Sequence, residues 1–272
     1  MGDDGRRRLP AAIFTDVDGT LLDGDHRVSP RTVTAARSLA AHGIPLVLVS
    51  ARMPEALDGI RRELGNDGPV VCYGGAYVLG ADGAELLSRP IGIGCALEAR
   101  DFVACEAPDV CCMAYGYHTW VTSDRSDPRV RREEQIVGVT SVEGALEDHF
   151  SERGLHKLLL VGEPVSIERV EREVGAAFPN LTVVRSSPIL CEVMDGQVSK
   201  AEGIEAVCRS LGVRPEDAVA FGDGRNDVAM FGAVGESWAM ANAPAEVRAA
   251  ATRVTWLDNA HDGLAEAIFS LV

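Results

Sequence analysis

Short apolar runs along this chain stop abruptly at polar or turn-forming residues, and stretches with helical spacing follow them. Ala11-Ala12-Ile13-Phe14-Thr15 ends at Asp16, the run 44–49 ends at Ser50, and 69–73 ends at Gly74. Runs of this length with such stops read as parallel strands buried on both faces. Between the first two runs, Ser29 suits a helix N-cap and Pro30 the first helical position. Val33, Ala36, Leu39 and Ala40 then form an apolar stripe that Gly43 terminates. Pro54 opens a second helix bearing Leu57, Ile60 and Leu64, and Gly65 closes it. The alternation of strand and helix predicts βαβ units and a parallel sheet.

Ala81-Asp82-Gly83 has the character of a hairpin turn. From about 90 to 186 the period is mixed, with helical stretches near 95–107 and 166–177 and strand-like runs near 110–122, 157–161 and 181–185. Ile167, Val170, Val174 and Ala177 share one helix face. The parallel pattern resumes after 188. Ile204, Val207, Cys208 and Leu211 form a helix stripe stopped by Gly212, and the run 218–221 ends at Gly222-Asp223. A helix, a strand near 237–240, a helix from Pro244, a strand near 254–256 and a last helix over 262–271 complete the chain. The expected fold is α/β: a Rossmann-like, doubly wound parallel-sheet core over 1–88 and 188–272, with an α+β domain inserted at 89–187. Residues 1–9 read as a frayed tail.

Composition narrows the possible partners. With 26 basic and 41 acidic residues, the formal net charge is −15. Nucleic acid and anionic membrane surfaces are excluded as main partners, because both need a positive face. No apolar run approaches the ~20 residues of a membrane span, and no apolar signal segment follows Arg6-Arg7-Arg8. A cytoplasmic protein, monomer or homodimer, is expected. The seven cysteines form no CxxC pair and read as buried free thiols in a reducing compartment.

Two strands end in acidic loops, Asp16-Val17-Asp18-Gly19-Thr20 and Gly222-Asp223-Gly224-Arg225-Asn226-Asp227. Ligands of open α/β sheets bind beyond the carboxyl ends of strands at the switch point, so these loops can meet. Asp223 and Asp227, four apart at a helix start, share a face. Carboxylates gathered there persist only with a cation or a proton, and an all-oxygen set favours Mg²⁺. For one loop alone, solvated turn aspartates explain the residues equally well; two loops after two buried strands favour the cluster. Ser50, with the amides of Ala51 and Arg52 opening toward a helix N-terminus, suits an anion. Lys200 stands at a helix start, the wrong end of the dipole for a cation, which points to an anionic partner. In 115–120, alternation puts Tyr115, Tyr117 and Thr119 on one face and His118 and Trp120 on the other.

With these four motifs in order, the sequence resembles the haloacid dehalogenase superfamily of phosphohydrolases, and within it the Cof-type branch with an α/β cap between the second and third motifs. Glu192-Val193-Met194-Asp195-Gly196, Ala239-Met240-Ala241-Asn242-Ala243 and Asp262-Gly263 resemble that branch too. The resemblance implies Asp16 as nucleophile and Asp18 as general acid and base. It implies Mg²⁺ ligands from Asp16, the Asp18 carbonyl and Asp223, with Asp227 acting through a water or from behind. Ser50, Ala51, Arg52, Lys200 and Asn226 would bind the phosphoryl group. The implied substrate is a small phosphorylated metabolite, a sugar phosphate by default, with the inserted domain contacting the leaving group. A phosphomutase of the phosphomannomutase kind and a non-hydrolytic phospho-accepting regulatory protein are the alternatives. Two departures stand out: Ala51 where Gly is common after Ser50, and Gly74-Gly75-Ala76 where relatives often have Asn-Gly-Ala.

Overall fold

The computed structural model describes residues 9–272, so the tail expected over 1–9 lies, except for Leu9, outside the described residues. Two compact units divide the chain. One comprises the segments up to 51, 57–86 and 199–272; the other comprises 52–56 and 87–198.

The chain begins with β1 (Ala12–Asp16), α1 (Pro30–Ala41), β2 (Leu46–Val49), α2 (Pro54–Leu64), β3 (Val70–Cys72), β4 (Tyr77–Leu79) and β5 (Glu85–Ser88). The middle of the chain forms α3 (Ile93–Glu106), β6 (Cys111–Gly116), β7 (Thr119–Thr122), α4 (Pro128–Val137), β8 (Val142–Glu143), α5 (Leu146–His149), β9 (Lys157–Val161), α6 (Pro164–Ala177), β10 (Leu181–Ser187) and β11 (Leu190–Asp195). It ends with α7 (Lys200–Leu211), β12 (Ala218–Gly222), α8 (Val228–Phe231), β13 (Glu236–Ala239), α9 (Ala245–Ala250), β14 (Arg253–Val254) and α10 (Gly263–Phe269). The protein is α/β, as the periodicity predicts.

In the first unit the strand order is β14-β13-β12-β1-β2-β3-β4-β5. Strands β14 to β3 are parallel neighbours, and β4 pairs antiparallel with β3. All of β1, β2 and β12 is buried, which is why their sequences are continuous apolar runs rather than alternating ones. From β1 the chain builds outward to either side, which makes it the switch strand. The register levels Thr15 with Phe221 and Asp16 with Val49. Asp16, Ser50 and Asp223 therefore leave three adjacent strands at nearly the same height. Ser29 caps α1, accepting from the Thr32 amide at 3.0 Å, and Leu39 and Ala36 of its stripe are buried.

The second unit has a sheet of order β10-β11-β9-β6-β7-β8. Ala96, Ala99 and Val103 of α3 and Ile167, Val170 and Val174 of α6 pack with Ala114, Leu158, Leu160, Cys191 and Val193 of that sheet. This unit runs on to residue 198, where the apolar pattern suggests a return to the first sheet at 188. The reason is the antiparallel hairpin β10–β11, irregular between Arg185 and Ser187, whose second strand also pairs with β9. A simple alternation reading also fails over 115–120. Tyr117 has φ 53° at a hairpin tip, so Tyr115 and Trp120 are direct cross-strand partners and stack with ring centroids 5.0 Å apart.

All seven cysteines are free. Only Cys72, Cys191 and Cys208 are fully buried, Cys95, Cys111 and Cys112 are partly so, and Cys105 is exposed. The free thiols are as expected, and full burial holds for three of the seven. Among the described residues, no helix is long and apolar enough to cross a membrane.

Candidate active site

The two acidic loops meet. Beyond β1, residues 17–21 form a tight coil in which Asp18 (φ −83°, ψ 118°) and Gly19 (φ 83°, ψ −3°) leave helical geometry. Gly19 is required here twice over. Its φ lies in the left-handed region, and a Cβ would lie 2.4 Å from Asp223 Oδ2. Next to it, the Thr20 hydroxyl donates to Asp223 Oδ1 at 2.7 Å. The first loop is thus bonded directly to the second.

Beyond β12, residues 225–227 make a single 3-10 turn. Asp227 Oδ2 accepts from the backbone amides of Asp223 (2.9 Å) and Gly224 (2.8 Å). This shape replaces the expected helix start, so Asp223 and Asp227 do not share a helix face: Asp223 bonds Thr20, whereas Asp227 turns inward to Lys200. Lys200 opens α7, which is capped by Ser199 through a 3.2 Å bond from the Glu202 amide. Its Nζ lies 2.5 Å from Asp16 Oδ1 and 2.6 Å from Asp227 Oδ1. The lysine is only 2% exposed, so the anionic partners inferred from its place on the helix are these carboxylates. The turn after β3 fixes where α7 begins. Gly75 has φ +111°, and a Cβ there would lie 2.1 Å from the Ser199 carbonyl oxygen.

Charge dominates this site. Burial raises the Asp16 carboxyl well above the usual range, and neighbouring Asp227 and Asp223 push the same way against the opposing pull of Lys200. Asp223 is pushed up to about 6, chiefly by burial, with Thr20 pulling it down and Asp227 pushing it up. Burial disfavours the Lys200 charge, but Asp16 and Asp227 outweigh it and its pKa rises. One oxygen from each of Asp16, Asp223 and Asp227 lies within 4.8 Å of the others. One ammonium facing three carboxylates leaves negative charge uncompensated, and a hard divalent cation fits such an all-oxygen set. Both oxygens of Asp227 are already engaged, which suits it to an outer rather than a direct ligand.

Ser50 is buried one residue beyond the end of β2; its amide donates to the Val71 carbonyl (2.8 Å) and its carbonyl accepts from the Gly74 amide (2.9 Å). Ala51 follows in the same unit, whereas Arg52 groups with the second unit. Asn226 is exposed in the 225–227 turn. Asp18 is exposed, and His26 Nδ1 approaches its Oδ1 to 3.4 Å. His26 holds φ 58° in a turn organised by the Asp23 carboxylate, which accepts from the amides of Asp25 and Arg27 at 2.9 Å each.

Sequence reasoning assigned no role to Thr20, His26, Asn242 or Asn259. Thr20 follows directly on Asp18-Gly19, which was a usable signal. His26 reaches Asp18 eight residues back, whereas Asn242 and Asn259 act through partners far away in the chain, which the stretch 239–243 marks only as a resemblance.

The family model for haloacid dehalogenase-like hydrolases matches residues 13–268. A Haemophilus influenzae protein named "Putative phosphatase" is 32% identical over 268 residues, covering 93% of this chain and 95% of its own. Among solved structures, a haloacid dehalogenase-like hydrolase from Bacteroides thetaiotaomicron superposes with TM-score 0.87 at 25% identity, covering 97% of this chain and all of that one. The subclass IIB sugar phosphatase BT4131 superposes with TM-score 0.80 at 24% identity, covering 96% and 99%, a likeness of fold.

Proposed function

The chain belongs to the haloacid dehalogenase-like hydrolases, and on that premise we propose that it is a Mg²⁺-dependent phosphatase hydrolysing phosphomonoesters of small metabolites through an aspartyl-phosphate. The observation that carries the reading is the bridge from Lys200 to both Asp16 and Asp227, with Asp223 within 4.8 Å of the same centre.

Asp16 is the nucleophile. Its carboxylate oxygen attacks phosphorus, the ester P–O bond breaks, and the leaving oxygen takes a proton from the Asp18 carboxyl. Asp18 then removes a proton from a water whose oxygen attacks the phosphorus. The acyl-phosphate bond breaks, releasing inorganic phosphate and restoring Asp16. Lys200 holds Asp16 in place and offsets its charge as the phosphate dianion approaches. Ser50, with the amide of Ala51 ahead of α2, receives phosphoryl oxygens, and Asn226 orients the group. Asp16, Asp223 and the Asp18 carbonyl are the groups that would hold Mg²⁺, with Asp227 behind them. When bound, the ion supplies positive charge that screens nucleophile from substrate.

To the inserted α+β unit this reading assigns the selection of the leaving group, for which phosphorylated sugars and related metabolites are the default class. Asp18, an acid two residues after the nucleophile, serves hydrolysis and phosphomutase chemistry alike. What favours hydrolysis is that two of the four arginines over 125–132 are occupied within the second unit: Arg129 pairs with Asp127 at 2.6 Å and Arg125 with Glu134 at 3.2 Å. A phospho-accepting regulatory domain needs only ~120–130 residues of flavodoxin-like fold and gives the inserted unit no purpose. Seven free thiols suit the reducing cytoplasm.

Purified protein with Mg²⁺ should turn over p-nitrophenyl phosphate and, faster, at least one phosphorylated metabolite in a screen. A single slow phosphorylation without turnover would favour the regulatory reading, and interconversion of sugar 1- and 6-phosphates the mutase.

A further inference from the structure

The coil that carries Asp18 is held from outside the reacting groups. Asn242, beyond β13, donates from its side-chain amide to the Gly19 carbonyl at 2.9 Å. Its side-chain oxygen accepts from the Asn259 amide at 3.2 Å, and the Asn259 side chain donates to the Leu22 carbonyl at 2.7 Å. Two carboxamides, each with its own bond to a carbonyl and joined through the Asn259 backbone amide, therefore bracket residues 19–22, the turn directly after Asp18. On its inner side the same turn is held by Thr20 on Asp223 (2.7 Å) and by the Leu22 amide on the Val17 carbonyl (2.9 Å).

The segments bearing the two asparagines are themselves fixed. Thr255, buried, accepts from the Ala241 amide at 2.9 Å and donates to the Leu257 carbonyl at 2.6 Å. Arg248 donates to the Ala241 carbonyl at 3.0 Å. Asn242 itself is exposed, so its carboxamide serves no core packing. What it holds is a glycine in left-handed conformation, the residue with most backbone freedom to lose, in a coil with no ladder of its own.

We propose that Asn242 and Asn259 are positioning residues for the reaction: they lock the turn after Asp18 so that its side chain and carbonyl stay aimed at the phosphoryl and cation site. The inference rests on the phosphatase reading and deepens it. Groups that orient catalytic or ligating residues typically carry ~10–100-fold in activity or metal affinity.

The test compares wild type with Asn242→Ala, Asn242→Asp and Asn259→Ala. Asn242→Asp keeps the acceptor for Asn259 but turns a carboxylate toward the Gly19 carbonyl. We expect kcat to fall by ~10-fold or more with KM for p-nitrophenyl phosphate little changed. The loss should be greater with an alkyl phosphate, whose leaving oxygen needs the Asp18 proton. Calorimetric Mg²⁺ affinity without substrate should weaken, and the double alanine variant should be worse than either single one, because each carboxamide makes its own bond to the turn. Amide exchange over 17–22 should speed up in every variant. Unchanged exchange there, or kcat and Mg²⁺ affinity within twofold of wild type, would overturn the proposal. So would losses that merely track a fall in melting temperature. Exchange and Mg²⁺ binding need no turnover, so failure of the tether is separable from failure of the phosphatase reading, which a wild type without turnover would signal.

Discussion

Replacing Lys200 by methionine keeps an unbranched side chain one atom shorter and removes the terminal ammonium with its charge and donors. The lysine makes two charge-assisted bonds in a setting where it is 2% and Asp227 1% exposed, each bond of a kind worth about 1.5–3 kcal/mol. Removing one partner of a buried ionic group typically costs ~3–5 kcal/mol, in line with that sum. For a chain of this size, ~2–4 °C per kcal/mol places the fall in Tm at roughly 6–20 °C. The deficit should depend on pH with a definite sign. The Lys200 pKa is raised above its unfolded value, so its own contribution is fully present below about 10.5 and is constant across pH 5–8. Asp16, already raised by burial, rises further without the lysine. Because a raised carboxyl binds its proton more tightly in the folded state, the variant gains stability as pH falls, and the gap to wild type narrows from pH 8 to pH 5. Thermal unfolding followed by circular dichroism in EDTA at several pH values measures this, and kcat should fall by about 10²-fold or more. A Tm within 2 °C of wild type at pH 8, or a gap that widens on acidification, would refute the reasoning.

Three further outcomes follow from the same geometry. Asp223→Asn should raise the Mg²⁺ concentration needed for half-maximal activity by at least tenfold while leaving the Thr20 contact available; an unchanged metal titration would count against the ligand role. Asp16 and Asp223 are both raised, Asp223 to about 6, so protons stabilise the metal-free protein below that pH and compete with Mg²⁺. The rise in Tm on adding Mg²⁺ should therefore grow between pH 5 and pH 7.5, and a constant rise would contradict it. Gly75→Ala must push against Ser199 at a φ of +111°; it should lose about 1–3 kcal/mol of stability and more than tenfold in kcat, whereas Gly83→Ala, strained alike but with open space around it, should leave kcat unaffected.

The first unit was legible because its central strands β1, β2 and β12 are buried throughout and therefore unmistakably apolar, and because each run stops at a polar or turn-forming residue: Asp16, Ser50, Gly222. The second unit was less so. Its helices α3 and α6 appeared in the periodicity, but β11 alternates buried and partly exposed residues and reads equally well as a return to the core. At the hairpin tip the left-handed position is taken by Tyr117 rather than by the neighbouring Gly116, which ends β6. In the site, residue types were readable but their pairing was not. That Lys200 bonds Asp227 as well as Asp16, and that Asp227 spends its other oxygen on two amides, depends on a turn shape fixed by tertiary contacts. The same holds for Asn259, whose carboxamide reaches Leu22 from the far end of the chain.

The central claim is that Asp16 becomes covalently phosphorylated in turnover. Rapid acid quench during steady-state hydrolysis with Mg²⁺, followed by peptide mass spectrometry, should find one hydroxylamine-labile phosphoryl group on the peptide containing Asp16, absent without Mg²⁺ and in Asp16→Asn. A protein that turns over substrate with that peptide unmodified at every quench time, or with Asp16→Asn still active, would contradict the account.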